Sequence, residues 1–357
     1  MKIGMWLLKI LISILLVAGL FLGILTVFEY RPDGAEEVTI EHVQIKEVKL
    51  DESFKVMTFN IGYAGLGAAE DFVMDGGTKG RPDSKDVVLD YLSGIQEIIS
   101  ENVADIYMFQ EVDLNSRRSY KINQAEVILE TLGSSYSQQF AYNFKALFVP
   151  FPVSFTDYIG YIESGIATYS TYRVDHSERI QFPGSFSWPL RIANLKRAMM
   201  VSILPIEGSS KSLIVVNLHM SAYDGDGSLR AQEMAFLKTF MEEQTALGNY
   251  VIIGGDFNQT FPEADGIYEV PEEYYVAYPM EDDWLPNGYQ YQVDVTLPSC
   301  RLLNQPYDPS DDKTQYYIID GFIISNNIMV EFSAETLDYD FAFSDHNPVV
   351  LTIKLIP

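Results

Sequence analysis

Short runs of apolar residues, many of them β-branched or aromatic, recur along the chain and predict buried strands. The clearest are Val56–Phe59, Ile106–Phe109, Leu213–Val216 and Val251–Ile253. Apolar runs of this length are typical of strands that are covered on both faces. Two further runs, at 165–169 and 199–204, lie in a stretch without a helical pattern. We expect these two strands to be antiparallel neighbours.

A second pattern, with apolar residues three and four positions apart, predicts helices between the strands. The predicted helices cover residues 88–99 after Ser84, residues 125–132 before Gly133, and residues 229–247 before Gly248. Serine is a common residue just before a helix and glycine just after one. Together the two patterns predict α/β or α+β layers around a mixed sheet.

The N-terminus has the pattern of a membrane-spanning helix. The chain carries no charged residue from Ile10 to Phe28, and about 20 apolar residues cross a bilayer as a helix. Lysines precede this run and acidic residues follow it, which predicts a cytoplasmic N-terminus with the remainder outside the cell membrane. The alternative is a cleaved signal peptide, but the small residues 17–19 lie in the middle of the run rather than at its end. We therefore expect an uncleaved, single-pass anchor.

These patterns divide the chain into three parts. Residues 1–29 are assigned to the membrane anchor, and residues 30–50, which are polar and acidic, to a stalk or lead-in strand. Neither a Pro/Gly/Ser-rich linker nor an internal repeat interrupts the chain after Phe54. Residues 51–357 are therefore expected to form one domain.

Charge and cysteine content narrow the possible functions. The 357 residues have a formal net charge of −26, which repels a polyphosphate backbone and argues against a dedicated nucleic-acid binder. A local basic patch or a bound metal can still reverse the field inside a cleft. The single cysteine, Cys300, excludes an intramolecular disulfide.

Polar residues follow the apolar runs in six short motifs. They are TFNI at 58–61, QEVD at 110–113, NLH at 217–219, GGDFN at 254–258, IDG at 319–321 and SDHNP at 344–348. Each motif alone is compatible with a surface carboxylate, a turn or a core histidine. Functional residues collect where the ends of strands and their loops converge. The joint occurrence of six motifs therefore predicts one shared pocket.

Part of this residue set suits metal-dependent cleavage of a phosphate ester. That reaction needs a cation on the nonbridging oxygens, an activated water and help for the leaving group. Glu111, Asn60 and Asp345 offer the oxygen ligands that Mg²⁺ (or Mn²⁺) prefers. Cys-rich or His-rich zinc spacing is absent from the sequence.

The other motif residues suit proton transfer and orientation. Asp256 can accept a proton from water, and Asn258 points to the same side if the pair stays extended. His346 can bind or protonate a phosphoryl oxygen, with Asp320 as the candidate that holds its second nitrogen. His219 is a second imidazole suited to protonating the leaving group.

In this order the motifs resemble those of the endonuclease/exonuclease/phosphatase superfamily, which shares the deoxyribonuclease I-like fold. The resemblance covers about residues 53–357 and is most specific at 254–258 and 344–346. It implies a four-layer α/β sandwich, with two packed mixed β-sheets flanked by helices. It also implies Mg²⁺-dependent phosphoester cleavage.

Matched motif by motif, the resemblance implies a role for each residue. On the metal and water side, Glu111 corresponds to the metal-binding glutamate and Asp345 to a second carboxylate. Asp256 corresponds to the water-activating aspartate, with Asn258 as its partner.

On the phosphate side, the resemblance implies that Asp320 and His346 form an orienting carboxylate–histidine pair. Arg197 resembles a phosphate-contacting arginine. Asn60 is expected both to contact the substrate phosphate and to bind the metal. Abasic-site repair endonucleases lack a histidine where His219 stands, whereas members resembling deoxyribonuclease I, sphingomyelinases and inositol-phosphate phosphatases carry one. The segment 71–77 lies outside the general family pattern.

We therefore expect a membrane-anchored phosphodiesterase or phosphatase that acts outside the membrane on a lipid head group or another small phosphoester. The alternatives are a nuclease of low sequence preference and a non-catalytic surface module. Loss of a metal carboxylate or of His346 would favour the non-catalytic module, but the sequence contains all of these residues. The aromatic and proline-rich segment 144–158 is expected to be either a loop packed on its own rings or an apolar lip that touches substrate or bilayer.

Overall fold

The computed structural model describes residues 2–225, 227–269 and 275–357. The helices are α1 (Lys2–Val27), α2 (Lys85–Glu101), α3 (Gln124–Leu132) and α4 (Ser228–Leu247). The strands are β1 (Ala35–Glu37), β2 (Ile40–Glu41), β3 (Ser53–Asn60), β4 (Ile106–Asp113), β5 (Ser137–Val149), β6 (Gly160–Ser170), β7 (His176–Gln181), β8 (Ala198–Pro205), β9 (Ser212–His219), β10 (Tyr250–Asp256), β11 (Tyr289–Gln292), β12 (Cys300–Arg301), β13 (Tyr316–Tyr317), β14 (Asp320–Ser325), β15 (Ile328–Thr336) and β16 (Val349–Leu355).

Two seven-stranded mixed sheets pack face to face. The first has the strand order β1-β7-β8-β9-β10-β14-β11, and the second β15-β16-β3-β4-β6-β5-β2. Each sheet contains a parallel pair, β9 with β10 and β3 with β4, among antiparallel neighbours. Side chains from both sheets fill the space between them, among them Val56, Met108, Val215, Ile252 and Leu351.

Helices cover the outer face of each sheet. Leu237 of α4 packs with Val251 and Ile253 of the first sheet, and Leu92 of α2 packs with Met57 of the second sheet. Because the central strands are buried on both faces, their sequences are continuous apolar runs rather than alternating ones. The expected four-layer α/β sandwich is confirmed.

The three predicted helices are confirmed, and their ends have the expected chemistry. The Ser84 hydroxyl accepts a hydrogen bond from the backbone N–H of Val87 at 3.3 Å and caps α2. Helix α4 ends at Gly248, whose φ of 72° lies in the left-handed region that glycine adopts without a steric penalty.

The expected pairing of the strands at 165–169 and 199–204 is wrong. Strand β6 pairs with β4 and β5 in the second sheet, whereas β8 pairs with β7 and β9 in the first. The chain passes from one sheet to the other between Ser170 and His176. An apolar run indicates that a strand is buried, but it does not specify the sheet that the strand joins.

The N-terminal segment contributes to both the membrane-type helix and the domain. Within the described ranges, Gly4–Val27 is the one helix long and apolar enough to cross a membrane, and only 6% of its most apolar window is buried. The following residues add edge strands to the sandwich, since β1 pairs with β7 and β2 with β5. Val48 is fully buried in the core between the sheets.

Candidate active site

Strand register brings the predicted site residues to one end of the sandwich. In the parallel pair of β9 and β10, Asp256 lies opposite His219. In the antiparallel pair of β10 and β14, Asp256 lies opposite Asp320. In the other sheet Asn60 lies at the end of β3, and its amide reaches the Asp256 carboxylate.

The glycines before Asp256 allow this close packing of strands. Gly255 has a φ of 153°, and a Cβ built on it would lie 2.0 Å from the carbonyl oxygen of Leu218 on β9. A Cβ on Gly254 would lie 2.7 Å from the Met108 side chain of the opposite sheet. Larger residues at either position would force the strands or the sheets apart.

Asp256 is at the centre of the site. Its Oδ2 accepts a hydrogen bond from Asn60 Nδ2 at 3.0 Å and lies 3.3 Å from Nε2 of His219 and 3.8 Å from Nε2 of His346. Burial raises the pKa of Asp256 to about 7, with the negative charge of Asp320 adding to the effect and His346 opposing it. The Asn60 amide therefore holds the carboxylate in place, and the imidazoles of His219 and His346 lie beside it.

His346 and Asp320 form a hydrogen-bonded pair. Nδ1 of His346 lies 2.7 Å from Oδ2 of Asp320, and both side chains are buried. The Ser299 hydroxyl donates to the same Asp320 oxygen at 2.8 Å. Burial alone would lower the pKa of His346, but the charge and hydrogen bond of Asp320, with the charge of Asp345, raise it well above its usual value. The imidazole is thus oriented and held positive, with Nε2 facing the cavity.

The pKa of His219 is shifted in the opposite direction to that of His346. Burial and the positive charges of Arg197 and His346 hold its pKa well below the usual value. The neutral imidazole donates hydrogen bonds but is a poor proton source. The neutral imidazole suits a hydrogen-bonding role, and the expected role of His219 as leaving-group acid stays a prediction.

Asn258 would point to the same side as Asp256 only if the backbone stayed extended, and instead the backbone turns at Asn258. Its φ is 50°, in the left-handed region, and its Nδ2 donates to the carbonyl of Met220 at 2.9 Å, while the residue still lines the cavity. Its backbone N–H donates to Oδ1 of Asp256 at 2.9 Å. Asn258 therefore positions Asp256 through its backbone and stabilises the turn through its amide.

Glu111, Asp345 and Asn60 line one cavity. Glu111 lies where the β4–β6 pairing shifts register between Phe109 and Val112, with a φ of 53°, and such a bulge re-aims a side chain. Burial raises the pKa of Asp345 to about 7, with His346 opposing this and the charge of Glu111 adding to it. The buried Asp345 and the partly exposed Glu111 place two negative charges on one cavity, and a cation stabilises such a pair. The oxygen donor set fits a hard divalent ion.

Two other groups of side chains at the site, both including His346, bring possible metal-ligand atoms close together. Among the described residues, Asp256, Asp320 and His346 form one group whose ligand atoms lie within 4.8 Å of one another, and Cys300, Asp345 and His346 form another. The Nδ1 of His346 is already hydrogen-bonded to Asp320. Burial raises the pKa of the Cys300 thiol to about 12, so it is protonated and a poor ligand.

Arg197 lies at the cavity wall beside His219, whose carbonyl oxygen accepts from its Nη1 at 3.5 Å. Burial lowers the pKa of Arg197, and the nearby carboxylate of Glu233 opposes the change. The guanidinium remains charged, so this position suits contact with an anion.

The sequence profile of the Endonuclease/Exonuclease/phosphatase family matches residues 57–346. The protein belongs to this family. The match includes every predicted site residue and most of both sheets. No curated protein sequence matches the chain significantly.

Solved structures of family members share the fold. An endonuclease/exonuclease/phosphatase from Beutenbergia cavernae superposes with a TM-score of 0.59 at 15% identity, covering 85% of this chain and 72% of the other. One from Bacteroides vulgatus gives 0.54 at 15% identity, covering 85% and 100%. The human Nocturnin catalytic domain with bound sulfate gives 0.52 at 17% identity, covering 89% and 97%. At these identities the likeness concerns the fold.

In this member of the Endonuclease/Exonuclease/phosphatase family, Arg118 is a site residue that the motifs did not indicate. Its Nε and Nη2 donate to the Asp113 carboxylate at 3.1 and 3.0 Å, and its Nη1 lies 3.8 Å from Glu111. The guanidinium stacks 3.7 Å from the ring centre of Tyr63. The available signal was a basic pair, Arg117-Arg118, that follows QEVD closely in the sequence.

Asp75 is a second residue that sequence reasoning left unassigned. It comes from the segment 71–77 and lines the same cavity. The hydroxyl of Tyr223 donates to its carboxylate, which also accepts from the backbone N–H of Leu303 at 3.2 Å. The segment 71–77, which includes Gly76 and Gly77, therefore closes one side of the site, and local sequence contained no signal for that contact.

Two motif residues are structural. Gln110 donates to the Asn217 side chain at 2.8 Å, and Asn217 donates to the carbonyl of Ala167 at 2.9 Å. These amides link the two sheets behind the site. They satisfy one another's hydrogen bonds in the core, which buried polar groups require.

Proposed function

We propose that the protein is a metal-dependent phosphoester hydrolase that acts outside the cell membrane, with a lipid head group or another small phosphoester as its substrate. One observation carries the proposal: the Asp256 carboxylate lies between Asn60, His219 and the His346–Asp320 pair, in the cavity that Glu111 and Asp345 also line. We also propose that residues 51–357 form the hydrolase domain and residues 1–29 its membrane anchor.

The residues suit in-line hydrolysis. Glu111, Asp345 and Asn60 would hold Mg²⁺ or Mn²⁺, which when bound polarises a phosphoryl oxygen. Asp256 accepts a proton from the attacking water, whose oxygen bonds to phosphorus while the bond to the leaving oxygen breaks. His346, kept positive by Asp320, donates a hydrogen bond from Nε2 to a phosphoryl oxygen and stabilises its growing charge.

Further groups help to bind the substrate. Arg118 and Arg197 supply positive charge at the cavity wall, although the whole chain is strongly acidic. Guanidinium groups match the oxygen geometry of phosphate. His219, neutral and 3.3 Å from Asp256, donates a hydrogen bond that orients the carboxylate or the leaving oxygen.

A membrane-anchored nuclease of low specificity is the second candidate, since Arg118 and Arg197 in the cavity wall suit any phosphodiester. The net charge of −26 opposes it. A non-catalytic surface module is opposed by the complete set of acid, histidine and amide residues in one cavity.

The test uses the full-length chain purified in detergent with Mg²⁺. Its hydrolysis of bis(p-nitrophenyl) phosphate, a phospholipid, a sugar phosphate and single-stranded DNA is compared with that of Asp256→Asn. We expect turnover that the variant loses. Equal turnover by both proteins, or none by the wild type on any substrate, contradicts the proposal. Preference for DNA supports the nuclease candidate.

A further inference from the structure

The catalytic cavity continues into an apolar groove that reaches the N-terminal helix. The combined cavity encloses about 710 Å³. One end is lined by the acidic and histidine residues of the site. The other end, here called the apolar groove, is lined by Leu22, Leu25, Phe148, Phe151, Leu190 and Ile192. A phosphate at the catalytic end would therefore have apolar surface extending away from it.

The last turns of α1 form one wall of this groove and are held there by specific contacts. Leu25 is 5% exposed, in contrast to most of the helix. The Phe21 ring packs edge-on against Phe148, with centroids 5.8 Å apart. The indole N–H of Trp188 donates to the Thr26 hydroxyl at 3.1 Å. The wall is thus part of the same helix that has the length and composition of a membrane span.

Ion pairs fix the connection just after the helix. Glu29 is paired with Lys196 at 3.0 Å and with Arg191 at 3.2 Å. The Glu29 side chain is 2% exposed and that of Lys196 10%, whereas that of Arg191 is 37% exposed, so the carboxylate is shielded from water between its two partners. They place the end of α1 beside the segment Leu190–Ala193, which lines the groove from the domain side.

Apolar side chains project from the same rim. Val153 and Phe155 are fully exposed, and Trp188 and Leu190 are more than half exposed. Leu190 lines the groove, Trp188 is hydrogen-bonded to Thr26 of α1, and Val153 and Phe155 closely follow residues 148–151, which line the groove. Exposed aromatic and aliphatic groups at the end of a membrane-type helix suit the interfacial layer of a bilayer. This observation favours the apolar lip over a loop packed only on its own rings.

We propose that the substrate is a membrane lipid with a phosphoester head group, whose acyl chain lies in the apolar groove with α1 as one wall. The inference rests on the proposed function. Because the groove is continuous with the spanning helix, a lipid reaches it from the outer leaflet without its chain entering water. Its phosphate then lies between Arg118 and His346. A sugar phosphate or a nucleic acid has no apolar tail to occupy this surface.

The test reconstitutes the full chain with Mg²⁺ in vesicles of phosphorus-free galactolipid. The vesicles are doped with phosphatidylcholine, phosphatidylglycerol or phosphatidic acid, and bis(p-nitrophenyl) phosphate is the water-soluble substrate. Leu190→Asp places a charge in the groove. Leu247→Asp, at a similarly exposed leucine at the end of α4, is the matched control. Ala193→Trp fills the groove without a charge.

We expect Leu190→Asp and Ala193→Trp to lower kcat/KM on the preferred lipid by tenfold or more, while bis(p-nitrophenyl) phosphate turnover stays within twofold of the wild type. Leu247→Asp should stay within twofold on both substrates. Lipid turnover unchanged in both groove variants, or equal losses on both substrates, would overturn the inference. So would a wild type that cleaves only the soluble diester, a result that leaves the proposed function standing. A wild type inert on every substrate overturns both.

Discussion

The His346–Asp320 pair permits a double-mutant test of the proposed chemistry. The variants are Asp320→Asn, His346→Ala and the double substitution. Asparagine keeps the size of the side chain but removes the charge that stabilises the imidazolium at 2.7 Å. Alanine removes the imidazole itself. If Asp320 acts only through His346, its substitution matters little once the imidazole is absent.

The contact sets the expected magnitudes. A hydrogen bond between charged groups contributes about 1.5–3 kcal/mol, and about 1.4 kcal/mol is a factor of ten in rate. Asp320→Asn should therefore lower kcat by roughly 10²-fold, and loss of a donor to the phosphoryl oxygen in His346→Ala by roughly 10²- to 10³-fold. Independent effects would multiply to roughly 10⁴-fold or more. We expect the double variant to be close to His346→Ala alone, with a coupling of about 2–3 kcal/mol.

The assay measures kcat on bis(p-nitrophenyl) phosphate at saturating Mg²⁺, with thermal unfolding recorded for each variant. A matched control cycle uses Glu331→Gln and Lys354→Met, a surface pair 3.3 Å apart on β15 and β16, which should leave kcat within twofold. Multiplicative losses in the first cycle would remove Asp320 from the mechanism. Loss of folding in Asp320→Asn would show that the pair serves stability instead.

Other expectations concern the metal, the topology and the fold. Glu111→Gln should lose most activity, and excess chelator should abolish it in the wild type because the site is built of oxygen donors; full activity of the variant in chelator would refute the metal assignment. Protease added to intact cells stripped of their wall should digest residues 30–357, since lysines precede the apolar run; protection until lysis would reverse the orientation. Gly255→Ala should destabilise the fold by more than about 3 kcal/mol, because its Cβ would meet the Leu218 carbonyl at 2.0 Å. Gly34→Ala is the control, since Gly34 has open space around it. Equal unfolding temperatures of the two variants would contradict the packing argument.

Much of the fold and of the candidate site could be predicted from local sequence. Continuous apolar runs marked the central strands because these strands are buried on both faces. Spaced apolar residues with Ser84, Gly133 and Gly248 marked the helices because capping chemistry is local. The motif acids, amides and imidazoles could be placed together because they end strands, and such ends meet at one edge of a sheet.

Tertiary structure decided the features that depend on distant parts of the chain. Strands β6 and β8 joined different sheets, since an apolar run does not encode its partner. Arg118 and Asp75 entered the site from loops without a periodic pattern, and the turn at Asn258 followed from its bond to the Met220 carbonyl. The apolar groove arises where α1, β5 and the segment Leu190–Ala193 meet. The contacts of Asp75 with Tyr223 and of Phe21 with Phe148 join residues more than a hundred positions apart, so no local pattern in the sequence could contain them.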